Sequence, residues 1–162
     1  MQFSKKLFYG FWSLCFVLTS GLSIANSDAA SKSEKIIHQY YEYLATRDLD
    51  NFIRLLSPEV IHEINQGETE RGKQNFRIFM EDQFSQGKYH IKDLIIFTSP
   101  DGKYATSRFI CSGEYYKTLP GYPKATGQKW EIPVVSFFKI ENDKISHVAV
   151  YFNDNAWRKQ LS

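Results

Sequence analysis

At 162 residues the chain is one ordinary domain, long enough to bury a core and too short for two. Hydrophobic residues make up 43% of it and aromatic residues 16%, which excludes a disordered chain and suits rings that wall a cavity as well as fill a core. Of the 20 basic side chains, Lys5 and Lys6 lie in an N-terminal stretch with no acidic residue; the other 18 balance 18 acidic ones, so the charge predicts no nucleic-acid partner and no anionic membrane.

The N-terminus reads as a secretory leader. A short positive stretch (1–6) precedes an apolar run (7–25) containing Phe8, Phe11, Trp12, Leu14, Phe16, Val17 and Leu18. Ser23-Ile24-Ala25 has the small-x-small form of a cleavage site, with Ser27-Asp28-Ala29 as a second. The expectation is a signal peptide over 1–25, an exported protein (periplasmic or secreted), and no stable membrane association after cleavage. The alternative is an uncleaved anchor, since the run approaches spanning length. Cys15 falls in this leader, so Cys111 is alone in the mature chain, without a disulfide partner, and reads as a small buried apolar residue.

Ser31 and Glu34 have capping-box spacing, and Ile36, Tyr40 and Leu44 recur on one helix face with Ile37 and Tyr41 beside them. Asp48 starts a second helix with Leu49, Phe52, Ile53, Leu55 and Leu56, expected to end at Pro58. A short strand is predicted over 60–66 and a third helix over 72–84, with Phe76, Phe79, Met80 and Phe84 on one face and Gly87 as its stop. Strands follow over 89–98, 104–117, 128–140 and 145–152. The connections are a Ser99-Pro100-Asp101-Gly102 turn, a Pro/Gly loop over 119–127 read as a mobile lid, and a hairpin turn at Glu141-Asn142-Asp143. Trp157 heads a short C-terminal helix. Helices followed by a meander of long strands make an α+β fold. In the 128–140 strand Trp130, Ile132, Val134, Ser136, Phe138 and Ile140 share the inner face, with Ser136 its one polar member. Phe137 and Tyr116 fall on the opposite face, which predicts a homodimer through the outside of the sheet.

The pattern Tyr40-x3-Leu44-x3-Asp48-Leu49-Asp50, the Arg71-Gly72-Lys73 helix start and the ending Asn142-Asp143-Lys144-Ile145 resemble the nuclear transport factor 2-like superfamily. Within it the chain is most similar to SnoaL-like and ketosteroid isomerase-related proteins, and His62-Glu63-Ile64-Asn65-Gln66-Gly67 carries that likeness furthest. The resemblance covers about 33–160. It implies a cone-shaped α+β barrel, nuclear transport factor 2-like or cystatin-like, with N-terminal helices packed on a curved antiparallel sheet. It also implies a pocket for a small apolar molecule. Steroid isomerases use a helix tyrosine and a neutral aspartic acid as oxyanion donors and a strand carboxylate as base. Aligned from Asp48-Leu49-Asp50, the tyrosine falls on Tyr40 and the base on Ile64, whose strand face includes His62. Aligned from Gly72, the base falls on Glu63. Ser136 stands at the acid.

The candidate catalytic residues are therefore His62, Tyr40 and Glu63, with a one-residue register slip deciding between His62 and Glu63. Ser136, Asn65, Trp130, Phe138, Phe79 and Asn153 are candidates for holding the ligand. No metal and no cofactor is predicted: His38, His62, His90 and His147 lack ligand spacing, and no phosphate loop or nucleotide fingerprint occurs. Two functions stay open. One is a cofactor-independent isomerase, cyclase or hydrolase working by proton transfer. The other is a non-catalytic binder of apolar molecules or a dimeric assembly module.

Overall fold

A computed structural model describes residues 18–67, 69–87 and 89–162, with side chains described from residue 26. The chain runs α1 (Leu18–Thr46), α2 (Leu49–Arg54), β1 (Leu56–Ile64), β2 (Thr69–Arg71), α3 (Lys73–Gln86), β3 (Tyr89–Thr98), β4 (Tyr104–Tyr115), β5 (Gln128–Glu141), β6 (Lys144–Phe152) and α4 (Asp154–Leu161). The strands form one open six-stranded sheet in the order β2-β1-β6-β5-β4-β3. Register shifts in the β1–β6, β3–β4 and β5–β6 pairs bend it, as bulges do.

The meander from β3 to β6 is antiparallel, as expected, but β1 pairs with β6 in parallel, so the sheet is mixed. The first helix also departs from expectation. It is continuous from Leu18, so Ser31 lies inside it and caps nothing. Three alanines (Ala25, Ala29 and Ala30) and small neighbours over 25–32 carry the helix through. The candidate cleavage site at 23–25 falls on this helix, while residues 1–17 lie outside the described residues. No described helix is long and apolar enough to cross a membrane.

Helix α1 rests on the β3–β4 turn. Ser33 Oγ donates to the Gly102 carbonyl at 2.5 Å, and a Cβ on Gly102 would stand 2.6 Å from the Ala29 carbonyl oxygen. Gly102 has φ +67, so glycine satisfies both the close approach and the turn.

Asp48 caps α2, accepting from Asn51 N at 3.2 Å. The helix ends at Arg54, earlier than the proline suggested, and Pro58 lies inside β1. There the β1–β6 ladder is interrupted between Leu56 and Ile61, so the missing proline N–H breaks no regular bond. Asn142 and Asp143, with φ 51 and 60, make the two-residue turn that matches the twist of the β5–β6 hairpin.

Helices α1, α2 and α3 cover the inner face of the sheet. Ile37, Phe52, Leu56, Phe76, Phe138, Ile145 and Val148 are almost fully buried between the layers. Strand β5 alternates as predicted: Trp130, Ile132, Val134, Ser136, Phe138 and Ile140 are all buried. On the outer face Ile95, Phe97, Tyr104, Val135 and Phe137 are exposed. The 119–127 loop, expected as a mobile lid, is fastened to α4. Tyr122 donates to Asp154, Arg158 Nη1 donates to the Gly121 carbonyl at 2.7 Å, and the Arg158 guanidinium stands 3.7 Å over the Tyr122 ring.

Candidate active site

Strand β1 settles which of two neighbours faces the core. His62 is 3% exposed on the inner face, while the Glu63 side chain is 38% exposed on the outer face. Glu63 Oε1 lies 3.1 Å from His147 Nε2, an ion-pair distance without hydrogen-bond alignment. Glu63 is thus placed away from the interior and cannot be the inward base.

The His62 ring is held on three sides. Phe76 stacks on it at 4.1 Å with planes 10° apart, and Phe79 meets its edge at 4.7 Å. Its Nδ1 is 3.1 Å from Glu70 Oε2, on the residue directly opposite in the β1–β2 ladder. Burial, followed by the charge of His147, pushes the imidazole down from 6.5 to about 4. The Glu70 carboxylate acts in the opposite sense, favouring the protonated ring.

Tyr40 is buried in a ring cluster, 4.6 Å from Phe52 and 5.2 Å from Phe138. Burial, then the neighbouring Tyr41, raise its phenol well above the ordinary value. The tyrosine that meets Ser136 is instead Tyr41. Its hydroxyl bonds Ser107 Oγ at 2.5 Å and also engages Ser136, which lies opposite Ser107 in the β4–β5 ladder. Burial pushes the Tyr41 phenol up to about 12, with the two serine hydroxyls opposing. These three hydroxyls form a small polar island in an apolar wall. Tyr41 and Ser107 were absent from the expected set, although the alternation of β4 that puts Ala105 and Phe109 inward also puts Ser107 there.

His62, Val148 and Phe138 form one line across β1, β6 and β5, and Ile64, Val150 and Ser136 form the next. At about 4.8 Å between strands, His62 and Ser136 flank a strip of Val148 and Val150 roughly 10 Å wide. The remaining expected ligand residues separate. Asn65, with φ 48, turns the chain out of β1, bonding the Val150 carbonyl and accepting from Phe152 N. Asn153 caps α4, accepting from Ala156 N at 3.0 Å. Trp130 stands at the far end of the inner row against Tyr89 and Trp157. The Trp157 indole N–H is buried there without a hydrogen-bond partner among the described residues. Cys111 is an inner-face thiol raised to about 12 by burial, which makes it a poor nucleophile.

A cleft of about 850 Å³ opens at this end, lined by Arg47, Phe84, His90, Glu114, Trp130 and Gln160 among others. Of the expected site residues only Trp130 borders it. Helix α3 links the cleft to His62: Phe84 is at the cleft, Phe76 is on the imidazole, and buried Met80 lies one turn from each. No group of three or more His, Cys, Asp or Glu side chains among the described residues could hold a metal ion.

Comparison with known proteins agrees with this architecture. The model of the SnoaL-like domain matches residues 37–148. A candidate polyketide cyclase from Pseudomonas putida is 35% identical, with 80% of this chain and 98% of that one covered and a TM-score of 0.78. Another from Xanthomonas campestris is 26% identical over 83% and 99% of the two chains, with a TM-score of 0.80. A nuclear transport factor 2-like protein from Burkholderia xenovorans shares the fold at 11% identity over 82% and 98%, with a TM-score of 0.67. No functionally curated protein matches the chain.

Proposed function

Starting from the fact that the chain belongs to the SnoaL-like domain family, within the nuclear transport factor 2-like superfamily, we propose that it binds a small, largely apolar carbonyl compound against the inner face of the sheet and moves a proton on it through His62. One observation carries the reading. The imidazole is buried, neutral and clamped between Phe76 and Phe79 on the face the helices cover. A neutral ring can take a proton from a carbon acid, and the Tyr41–Ser107–Ser136 hydroxyls across the Val148–Val150 strip can donate to the oxygen on which charge develops. The names of the Pseudomonas and Xanthomonas relatives support a polycyclic, ketone-bearing substrate. Ligand reaches the interior from the cleft at Trp130, with the flexible Met80 side chain giving way.

The test is deuterium incorporation into 2-tetralone, a bicyclic ketone with exchangeable protons beside its carbonyl. Exchange above the buffer rate by the wild-type protein supports the reading. Saturable binding without exchange supports the second reading, a non-catalytic carrier. That second reading is favoured by the low basicity of His62, since an imidazolium held down to about 4 loses its proton readily to water and the neutral ring accepts a carbon-bound one reluctantly.

Two further parts of the proposal concern assembly and location. The exposed row Ile95, Phe97, Tyr104, Val135 and Phe137 suits a second copy of the same sheet across a two-fold axis. A monomer mass by light scattering at tens of micromolar would exclude it. Export with cleavage near Asn26 or Ala30 would keep Ser33 and every later α1 contact with the sheet. N-terminal sequencing of exported material checks this, and an intact Met1 contradicts it.

A further inference from the structure

We propose that Glu70 is a positioning residue for His62: its carboxylate accepts a hydrogen bond from Nδ1–H, fixes the ring in that tautomer, and leaves Nε2 as the unprotonated nitrogen facing away from the sheet edge. The value of this for chemistry rests on the proton-transfer reading above, but the assignment itself stands on geometry.

Glu70 lies on β2, the edge strand of the sheet, directly across from His62 in the β1–β2 ladder. Cross-strand partners share a face, so both side chains lie on the inner side. The 3.1 Å approach of Oε2 to Nδ1 is a hydrogen-bond distance, and an ionised carboxylate can only accept. Nδ1 must therefore carry the hydrogen. The two ring nitrogens point in diverging directions, so with Nδ1 turned toward the β2 edge, Nε2 is turned away from it. Stacking on Phe76 and the edge contact with Phe79 prevent the ring from flipping to exchange the two nitrogens.

The same contact answers an electrostatic problem. Burial opposes the imidazolium that a general base must become, and His147 on β6 opposes it further. Among the described residues the groups acting on the ring are Glu70 on β2, the uncharged Phe76 and Phe79 on α3, and, electrostatically from the outer face of β6, His147, itself beside Glu63. Among the described residues Glu70 is the anion within hydrogen-bond distance of the ring, and it stabilises the imidazolium at the moment the proton arrives. A buried base with an orienting carboxylate on its second nitrogen is the general way to set a histidine tautomer.

The experiment is long-range nitrogen–proton NMR of the His62 ring in the full chain, in wild type, Glu70→Gln and Glu70→Leu. Wild type at pH 7 should show a protonated Nδ1 and a pyridine-like Nε2. Glu70→Gln keeps an accepting oxygen, so it should retain that tautomer while the ring's titration midpoint falls by about one unit or more for loss of the neighbouring charge. Glu70→Leu should move the proton to Nε2. Glu70→Gln is the conservative variant, and the wild-type spectrum decides the tautomer even if Glu70→Leu does not fold. A wild-type ring protonated at Nε2, or a midpoint unmoved in Glu70→Gln, overturns the assignment. The Nδ1–H ring in a protein that exchanges no ketone protons leaves the positioning role standing and defeats the proton-transfer reading alone.

Discussion

Deuterium incorporation into 2-tetralone should fall on the order of a hundredfold or more when His62 is replaced by alanine, the usual share of a positioned general base. The expectation follows from register. A one-residue shift of β1 would have put Glu63 inside and His62 in solvent, whereas the chain buries His62 and leaves Glu63 against His147 on the far face. Glu63→Gln should therefore leave the exchange rate within a fewfold of wild type. His62→Ala also removes a ring stacked on Phe76, so its denaturation midpoint must be measured beside its rate. A drop in midpoint with full exchange activity at lower temperature would identify His62 as a packing residue only. Equal exchange rates in the two variants would remove the distinction between the faces.

Phe138→Ala should cost about 3–5 kcal/mol of stability, the range for a large ring deleted from a well-packed core. Phe138 is fully buried, lies between Val148 and Ala105 in the sheet, and stands 5.2 Å from Tyr40 and 6.2 Å from Tyr41. That loss is a large part of the roughly 5–15 kcal/mol available to a domain. Its neighbour Phe137 points the other way and is 40% exposed, so Phe137→Ala should leave the monomer's unfolding free energy within about 1 kcal/mol of wild type. Urea unfolding with an unchanged slope measures both. Similar losses for the two residues would mean that the outer face is as well covered as the inner one.

The strand alternation that separates Phe137 from Phe138 was legible in the sequence because a period of two needs only one half-buried face to show itself. For the same reason β3 was found with its observed ends, and Ser136 was recognised as the odd polar member of its row. The loss came where local signals compete with tertiary ones. Pro58 looked like a helix stop, yet a bulge in β1 tolerates it. Ser31 and Glu34 looked like a cap, yet the small residues before them continue the helix.

The site was half legible. His62 and Ser136 were readable as polar residues on inward faces. The partner of Ser136 was misassigned to Tyr40, because helix periodicity puts Tyr40 and Tyr41 on one broad face and cannot say which hydroxyl reaches which strand. Glu70 was missed because β2 has three residues, too short for any periodicity, and its contact with His62 exists only once the two strands pair. The β1–β6 parallel pairing was missed on the same ground: it joins residues far apart in the chain.

Proton transfer through His62 requires a buried, neutral imidazole. The ring's folded value is near 4 against an ordinary 6.5, so between those pH values the unfolded chain binds the proton and the folded one does not. Stability on this account is fully present above about pH 6.5 and declines as pH falls toward 4, by about 3 kcal/mol at most for a shift of this size. The measurement is the NMR titration of the His62 ring protons in the intact protein, followed from pH 8 downward until the fold is lost. A midpoint near 4, with the ring still neutral at pH 6, is the predicted result. A midpoint at or above 6.5 would place His62 in a solvated or strongly ion-paired setting and contradict the buried neutral base.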